Sequence, residues 1–159
     1  MTTTSPALAE WPQTGDAHRR AENSAVIGSG DGVWERATRD VLRWRVKTAS
    51  GFAVDSTGPV SEGDHVTVTA RVLFLTVVEP VEVVAVVAEP NRVGFAYRTL
   101  PGHPVSGEEA FIVHRSGDEV RLTVRSLTRA APQQPWRALY PLLLIAQQVA
   151  RRRYLRSLR

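Results

Sequence analysis

Between His65 and Arg129 the chain reads almost wholly as strand, and this constrains the fold more than any other feature. VTVTARVLFLTVV is rich in β-branched residues, and VEVVAVVA follows across Glu79-Pro80. RVGFAYRTL, EEAFIVHR and EVRLTVRSL come next, set off by Pro-Asn, Pro-Gly-His-Pro and Ser-Gly-Asp breaks. Connections this short join antiparallel neighbours, because a parallel crossover needs roughly a dozen residues. The pattern predicts at least five antiparallel strands. In the last of them Val120, Leu122 and Val124 alternate with Arg121, Thr123 and Arg125, giving one buried and one wet face. The two strands from Val66 to Val87 are apolar on both faces, which implies burial between layers or at an interface.

Helical periods flank this block. Ala25 to Ile27 reads as a short strand, after which GSGDG leads into a helix over about 33–44 with Asp31 as its N-cap. Trp34, Ala37, Val41 and Trp44 fall on one face of that helix, which should pack on the sheet. Pro135 can start the final helix. Pro141 should kink or restart it, placing the main helix from Pro141 to about Leu158. The expected architecture is α+β, with a curved antiparallel sheet wrapped round a long C-terminal helix and a cavity between them.

A chain of 159 residues suits one domain, read as 21–159 after a mobile arm over 1–20. The start of the chain lacks the apolar segment of a signal peptide, which points to the cytoplasm. ALYPLLLIA, Ala138 to Ala146, is much shorter than the ~20 residues of a membrane span. The absence of cysteine removes disulfides and thiolate chemistry. Trp136 to Arg159 holds six arginines and no acid, so against a net charge of +4 the rest of the chain carries −2. Lys47 is the sole lysine beside nineteen arginines, a bias attributable to a GC-rich genome before any nucleic-acid role.

Reactive side chains concentrate between Gly94 and Phe111, where prolines and glycines bracket His103 and Glu108 and Glu109 follow. His103 with Glu108 or Glu109 suits proton transfer to a bound carbonyl compound. Turn capping and loop hydrogen bonding account for the same residues. On a strand, Glu109, Phe111 and Val113 share one face, and Glu108, Ala110, Ile112 and His114 the other. Glu109 is then the inward carboxylate and needs a partner, for which Arg98, Arg71 or His103 are available. The candidate catalytic residues are thus His103, Glu109 and Glu108. Tyr97, Thr99, Arg98, Phe95, Phe111, Trp44 and Phe74 are candidate pocket residues, the aromatic ones being equally suited to a plain core. His103, Glu108, Glu109 and His114 have metal-ligand types but no recognised ligand spacing. GSGDG lacks the third glycine of a dinucleotide loop, so no cofactor is expected. There is no Gly-x-Ser-x-Gly elbow. The arginines of RRRYLRSLR complement a helix C-terminus, and nothing there calls for nucleic acid.

Gly94, Phe95, Tyr97, Thr99, Leu100, Gly102, His103 and Pro104, followed by Gly107, Glu108, Glu109 and Phe111, resemble the signature of a bacterial and plant family catalogued as a domain of unknown function. That signature is Gly-Phe-x-Tyr-x-Thr-Leu-x-Gly-His-Pro, then Gly-Glu-Glu-x-Phe. Trp34, Ala37, Leu42 and Trp44 resemble the family's helical pattern, with Leu42 and Trp44 one residue closer together. WPQTG and QQVARRRY resemble its two ends, so the likeness runs from about Trp11 to Arg159. Arg98 replaces a small residue, and the segment between Gly15 and Ala25 is shortened, which puts the ligand of relatives in doubt for this chain. The element order is also similar to helix-grip proteins of the START and polyketide-cyclase class. These resemblances imply an apolar small molecule as partner. The alternatives are a cyclase, isomerase or dehydratase using His103 and Glu109, or a protein-interaction module; the oligomeric state, a homodimer included, stays open.

Overall fold

The computed structural model describes residues 2–13, 15, 18–56, 58–71 and 74–159, together with the backbone of Val72. Its strands are β1 (Arg19–Ser29), β2 (Ala53–Val54), β3 (His65–Val72), β4 (Leu75–Glu89), β5 (Arg92–Thr99), β6 (Val105–Ser116) and β7 (Glu119–Ala130). Among the described residues they form one antiparallel sheet of seven strands in the order β1-β7-β6-β5-β4-β3-β2. Helices α1 (Asp31–Val41) and α2 (Arg45–Thr48) follow β1, and α3 (Trp136–Tyr154) ends the fold. No helix among the described residues is long and apolar enough to cross a membrane.

The antiparallel sheet and the C-terminal helix match the sequence pattern, while several boundaries differ for local reasons. The β3–β4 reversal lies between Val72 and Leu75, which pair with each other, and β4 runs straight through Glu79-Pro80. Pro80 is tolerated because its carbonyl accepts from the Leu100 N–H at 2.9 Å, so its missing N–H also faces the end of β5, where no ladder bond is lost. β1 is far longer than Ala25–Ile27. Its polar residues Glu22, Asn23 and Ser24 hide the alternation, yet they pair along β7 as an edge strand. Asp31 is the first helical residue and not the N-cap: Gly30 takes that position at φ 90°, and Asp31 instead pairs with Arg115 at 2.9 Å. α1 stops at Val41, and Trp44 turns the chain with a left-handed φ of 62°. α3 is one helix across Pro141, not two. Arg137, whose carbonyl loses its partner, and Pro141 itself are both exposed, so water can satisfy the freed group.

Each face of the sheet buries something different. The inner face packs Val81, Phe95, Phe111, Leu122 and Val124 against Ala37, Val41 and Trp44, with Trp44 meeting Phe95 edge-on at 4.8 Å. The outer face holds a small cluster of Ala96, Ala110 and Ile112. Residues near the N-terminus bind this outer side. Glu108 accepts from the amides and hydroxyls of Thr3 and Thr4, while Arg92 and Arg125 donate to carbonyls of Pro6, Thr4, Ser5 and Ala9. Trp11 is buried there, and Arg20 stacks 3.5 Å above its ring. Of the stretch read as an arm, Met1, Thr14, Asp16 and Ala17 lie outside the described residues, as does part of WPQTG.

Candidate functional site

Sheet curvature leaves a cavity of about 440 Å³ between the inner face, α2 and α3. Strand alternation decides what enters it. On β6 the odd-numbered residues face inward, so Glu109 lies beside Tyr97 on β5 and Ser126 on β7, and Glu108 points to the other side. The signature glycines make this register possible. A Cβ on Gly94 would sit 2.2 Å from the Phe111 carbonyl oxygen, and one on Gly107 1.7 Å from that of Leu127, so neither position accepts a side chain without moving a strand.

The centre of the site is Lys47 on α2, only 5% exposed. Its ammonium donates to the Tyr154 hydroxyl at 2.7 Å and lies 3.5 Å from Glu109 Oε1. The rings of Phe52, Tyr154, Tyr97 and Phe111 surround it at 4.5, 4.9, 5.5 and 5.9 Å. Tyr97 donates its hydroxyl to the same Glu109 oxygen. Burial pulls the Lys47 pKa down, but Tyr154, Tyr97, Glu109 and Glu79 together outweigh it and hold the pKa well above the ordinary value. Burial likewise pushes the Tyr154 and Tyr97 hydroxyls well above the usual phenol range. Both phenols are therefore protonated at neutral pH, and the attraction acting on Lys47 there comes from the carboxylates. Glu79, on the cavity side of β4, has its carboxyl pKa raised by burial and by Glu109, against the pull of Lys47.

His103 also lines the cavity and is 8% exposed. Its Nδ1 accepts the Val105 N–H at 3.1 Å, which assigns the proton of the neutral ring to Nε2. Burial and the Lys47 charge lower its pKa to about 3. It is a neutral hydrogen-bond donor at physiological pH, a poor fit to a general acid that must hold a second proton.

The structure thus brings together His103, Glu109, Tyr97 and Thr99, the last accepting from the Gly107 N–H at 3.0 Å. It separates the others. Glu108 borders the cavity, but its carboxylate is spent on Thr3 and Thr4. Arg98 projects from the outer face to Glu82 at 2.7 Å, so Glu109 takes Lys47 and Tyr97 as partners in place of an arginine. Phe95, Phe111 and Trp44 are fully buried core. Phe74 stands wholly exposed beside the β3–β4 turn, at 103%. His114, on the outer face, pairs with Thr123 at 2.7 Å. Sequence reasoning missed Lys47, Tyr154 and Glu79. The one lysine among nineteen arginines was a usable signal, since an arginine-rich chain keeps a lysine where a compact point charge is needed.

A seven-stranded antiparallel sheet closed over a cavity by two short helices and a long C-terminal one is a helix-grip α+β domain. Solved structures of the same shape include a hypothetical protein from Helicobacter pylori, with TM-score 0.65 and 14% identity over 100% of this chain and 99% of that one. The Zhui aromatase/cyclase from Streptomyces is another, with TM-score 0.51 and 20% identity over 87% of this chain and 92% of that one. At such identities the likeness is one of fold. Residues 3–157 match the family described as a domain of unknown function, DUF1990, and the chain belongs to that family. A UPF0548 protein of Deinococcus radiodurans is 32% identical over 170 residues, covering 92% of this chain and 79% of its own length.

Proposed function

We propose that this protein binds a small molecule with an apolar body and one oxygen-bearing head in the cavity between the sheet and α3. The observation that carries this reading is the Lys47–Glu109–Tyr97–Tyr154 network in the cavity wall. Val77, Leu143, Ala146 and Val149 supply an apolar lining above it. Two donors of this wall, the Tyr154 hydroxyl hydrogen and His103 Nε2–H, have no acceptor among the described residues, and a carbonyl or hydroxyl oxygen supplies one. Lys47 is paired with Glu109 within the wall, so a neutral head group enters without breaking that ion pair.

A second reading, catalysis of the cyclase, isomerase or dehydratase type, is favoured by one observation. Glu79 and Glu109 flank Lys47 in different environments, and the raised pKa of Glu79 suits a proton carrier. The proton-transfer role then rests on the two carboxylates and not on His103.

Native mass spectrometry of protein taken from its source is expected to show a bound small molecule. Tyr154→Phe should weaken its rebinding about tenfold, as expected for one lost hydrogen bond to a buried oxygen. Undiminished rebinding by both Tyr154→Phe and Glu109→Gln would place the ligand elsewhere. Conversion of the released compound by wild type, abolished in Glu79→Gln or Glu109→Gln, would select catalysis.

A further inference from the structure

A second cavity, of about 290 Å³, lies on the outer face of the sheet, away from the site just described. β1, β5, β6 and β7 line it with Glu22, Ser24, Arg92, His114, Thr123 and Arg125. Its charges are unbalanced in a specific way. The Glu22 carboxylate already accepts from Arg125 Nε at 2.6 Å, and the terminal nitrogens of Arg125 donate to the carbonyls of Thr4, Ser5 and Ala9. Arg92 is not saturated. Its Nε donates to the Pro6 carbonyl at 2.6 Å, but its Nη2 is shut off from solvent and has no hydrogen-bond partner among the described residues. A buried cationic N–H without an acceptor is costly, and an arginine fork fits the oxygens of an anion.

We propose that this outer cavity binds a small oxyanion, a phosphate or carboxylate group, with Arg92 Nη2 as the principal donor and Arg125, Ser24 and Thr123 around it. The hydroxyls are connected, Thr123 lying 2.7 Å from His114 Nε2 and 3.1 Å from Ser24 Oγ. The guanidinium groups supply the charge. Burial and then Arg92, Arg121 and Arg125 lower the His114 pKa, with Glu22 opposing them, so this imidazole is neutral near physiological pH. An anion beside Arg92 offsets that repulsion, and His114 reports its arrival by taking up a proton more readily. Because Pro6 and Ala9 share the same two arginines, the bound anion also fastens the N-terminal segment to the sheet.

The test uses the full chain at fixed ionic strength, with chloride replaced by inorganic phosphate or by acetate, read by calorimetry and by the NMR titration of His114. Saturable binding and an upward move of the His114 midpoint are expected, and Arg92→Gln should weaken the binding at least tenfold. A stronger response to phosphate assigns the site to phosphate groups; a stronger response to acetate assigns it to carboxylates. No saturable response to either anion, or equal binding by Arg92→Gln, overturns the proposal. Should Arg92→Gln not fold, an unmoved His114 midpoint in the wild type overturns it on its own.

Discussion

Lys47 on the inner face and Arg125 on the outer are both nearly inaccessible, at 5% and 1% exposure, yet their surroundings differ in kind. Arg125 directs its planar fork mainly to three backbone carbonyls and Glu22, so that it ties the N-terminal segment to the sheet. Lys47 is held by side chains, one hydroxyl, one carboxylate and a ring of aromatic faces, all along the edge of a cavity. A buried cation whose donors end on main-chain carbonyls fastens one segment to another. One held by titratable side chains at a cavity wall leaves groups that a ligand can use. The same contrast separates the adjacent signature carboxylates: Glu108 anchors the N-terminal threonines outside, and Glu109 joins the network inside.

The comparison breaks most readily at Arg125. Arg125→Met should cost about 2–4 kcal/mol, because the carbonyls of Thr4, Ser5 and Ala9 lose a charged donor while Glu22 stays partly solvated. For a chain of this length that lowers the melting temperature by roughly 10 °C. Amide exchange over residues 2–13 should speed up while cavity binding of the ligand survives. Loss of that binding at temperatures where the variant is folded would show that the two faces are coupled.

Lys47→Met should cost less stability, about 1–3 kcal/mol, since Glu109 keeps the Tyr97 hydrogen bond. Adding Glu109→Gln should recover part of this cost and none of the ligand binding. A double variant no more stable than Lys47→Met would mean that the pair contributes little as a charge pair.

A smaller effect sharpens the account of His103. Its folded-state pKa of about 3 lies below the ordinary 6.5, so between these values the unfolded chain holds a proton that the folded chain does not. Stability is therefore complete above pH 6.5 and is lost as the pH falls toward 3. The slope from one such group is at most about 1.4 kcal/mol per pH unit. His103→Asn, which retains an acceptor for the Val105 N–H, should flatten the acid limb of a melting-temperature profile. His114 is shifted the same way, so some slope should remain. An unchanged limb would show that His103 titrates normally in the fold.

The smallest effect is expected at the tail. Arg152 and Arg156 are exposed, so Arg152→Glu with Arg156→Glu should change stability by no more than about 0.5 kcal/mol and leave cavity binding intact. A salt-sensitive affinity for nucleic acid or anionic vesicles, abolished by these changes, would contradict that view of the helix end.

Much of this molecule is legible in its sequence because strand alternation is a local property. The inward placement of Glu109, Phe111 and Val113, and the outward placement of Glu108 and His114, follow from a period of two once the segment is a strand. The glycine-rich signature could be read as special before its cause was visible. That cause, the close approach of Gly94 to Phe111 and of Gly107 to Leu127, joins neighbouring strands and is not encoded in either one alone. The β3–β4 boundary is hidden from the sequence because proline is a local breaker only where its missing N–H would have faced a partner, and at Pro80 it faces the end of β5.

The residues and their periods by themselves determined an α+β chain with an antiparallel sheet, a final helix and a reactive strand–loop–strand unit. Which acid meets which base was decided by tertiary structure. Glu109 meets Lys47 from 62 positions away only because α2 and β6 cover the same cavity, and Thr4 reaches Glu108 across 104 positions. Alternation tells a side chain which face to take. The partner waiting on that face depends on how distant segments pack, since ion pairs and hydrogen bonds act over a few ångströms of space whatever the separation along the chain.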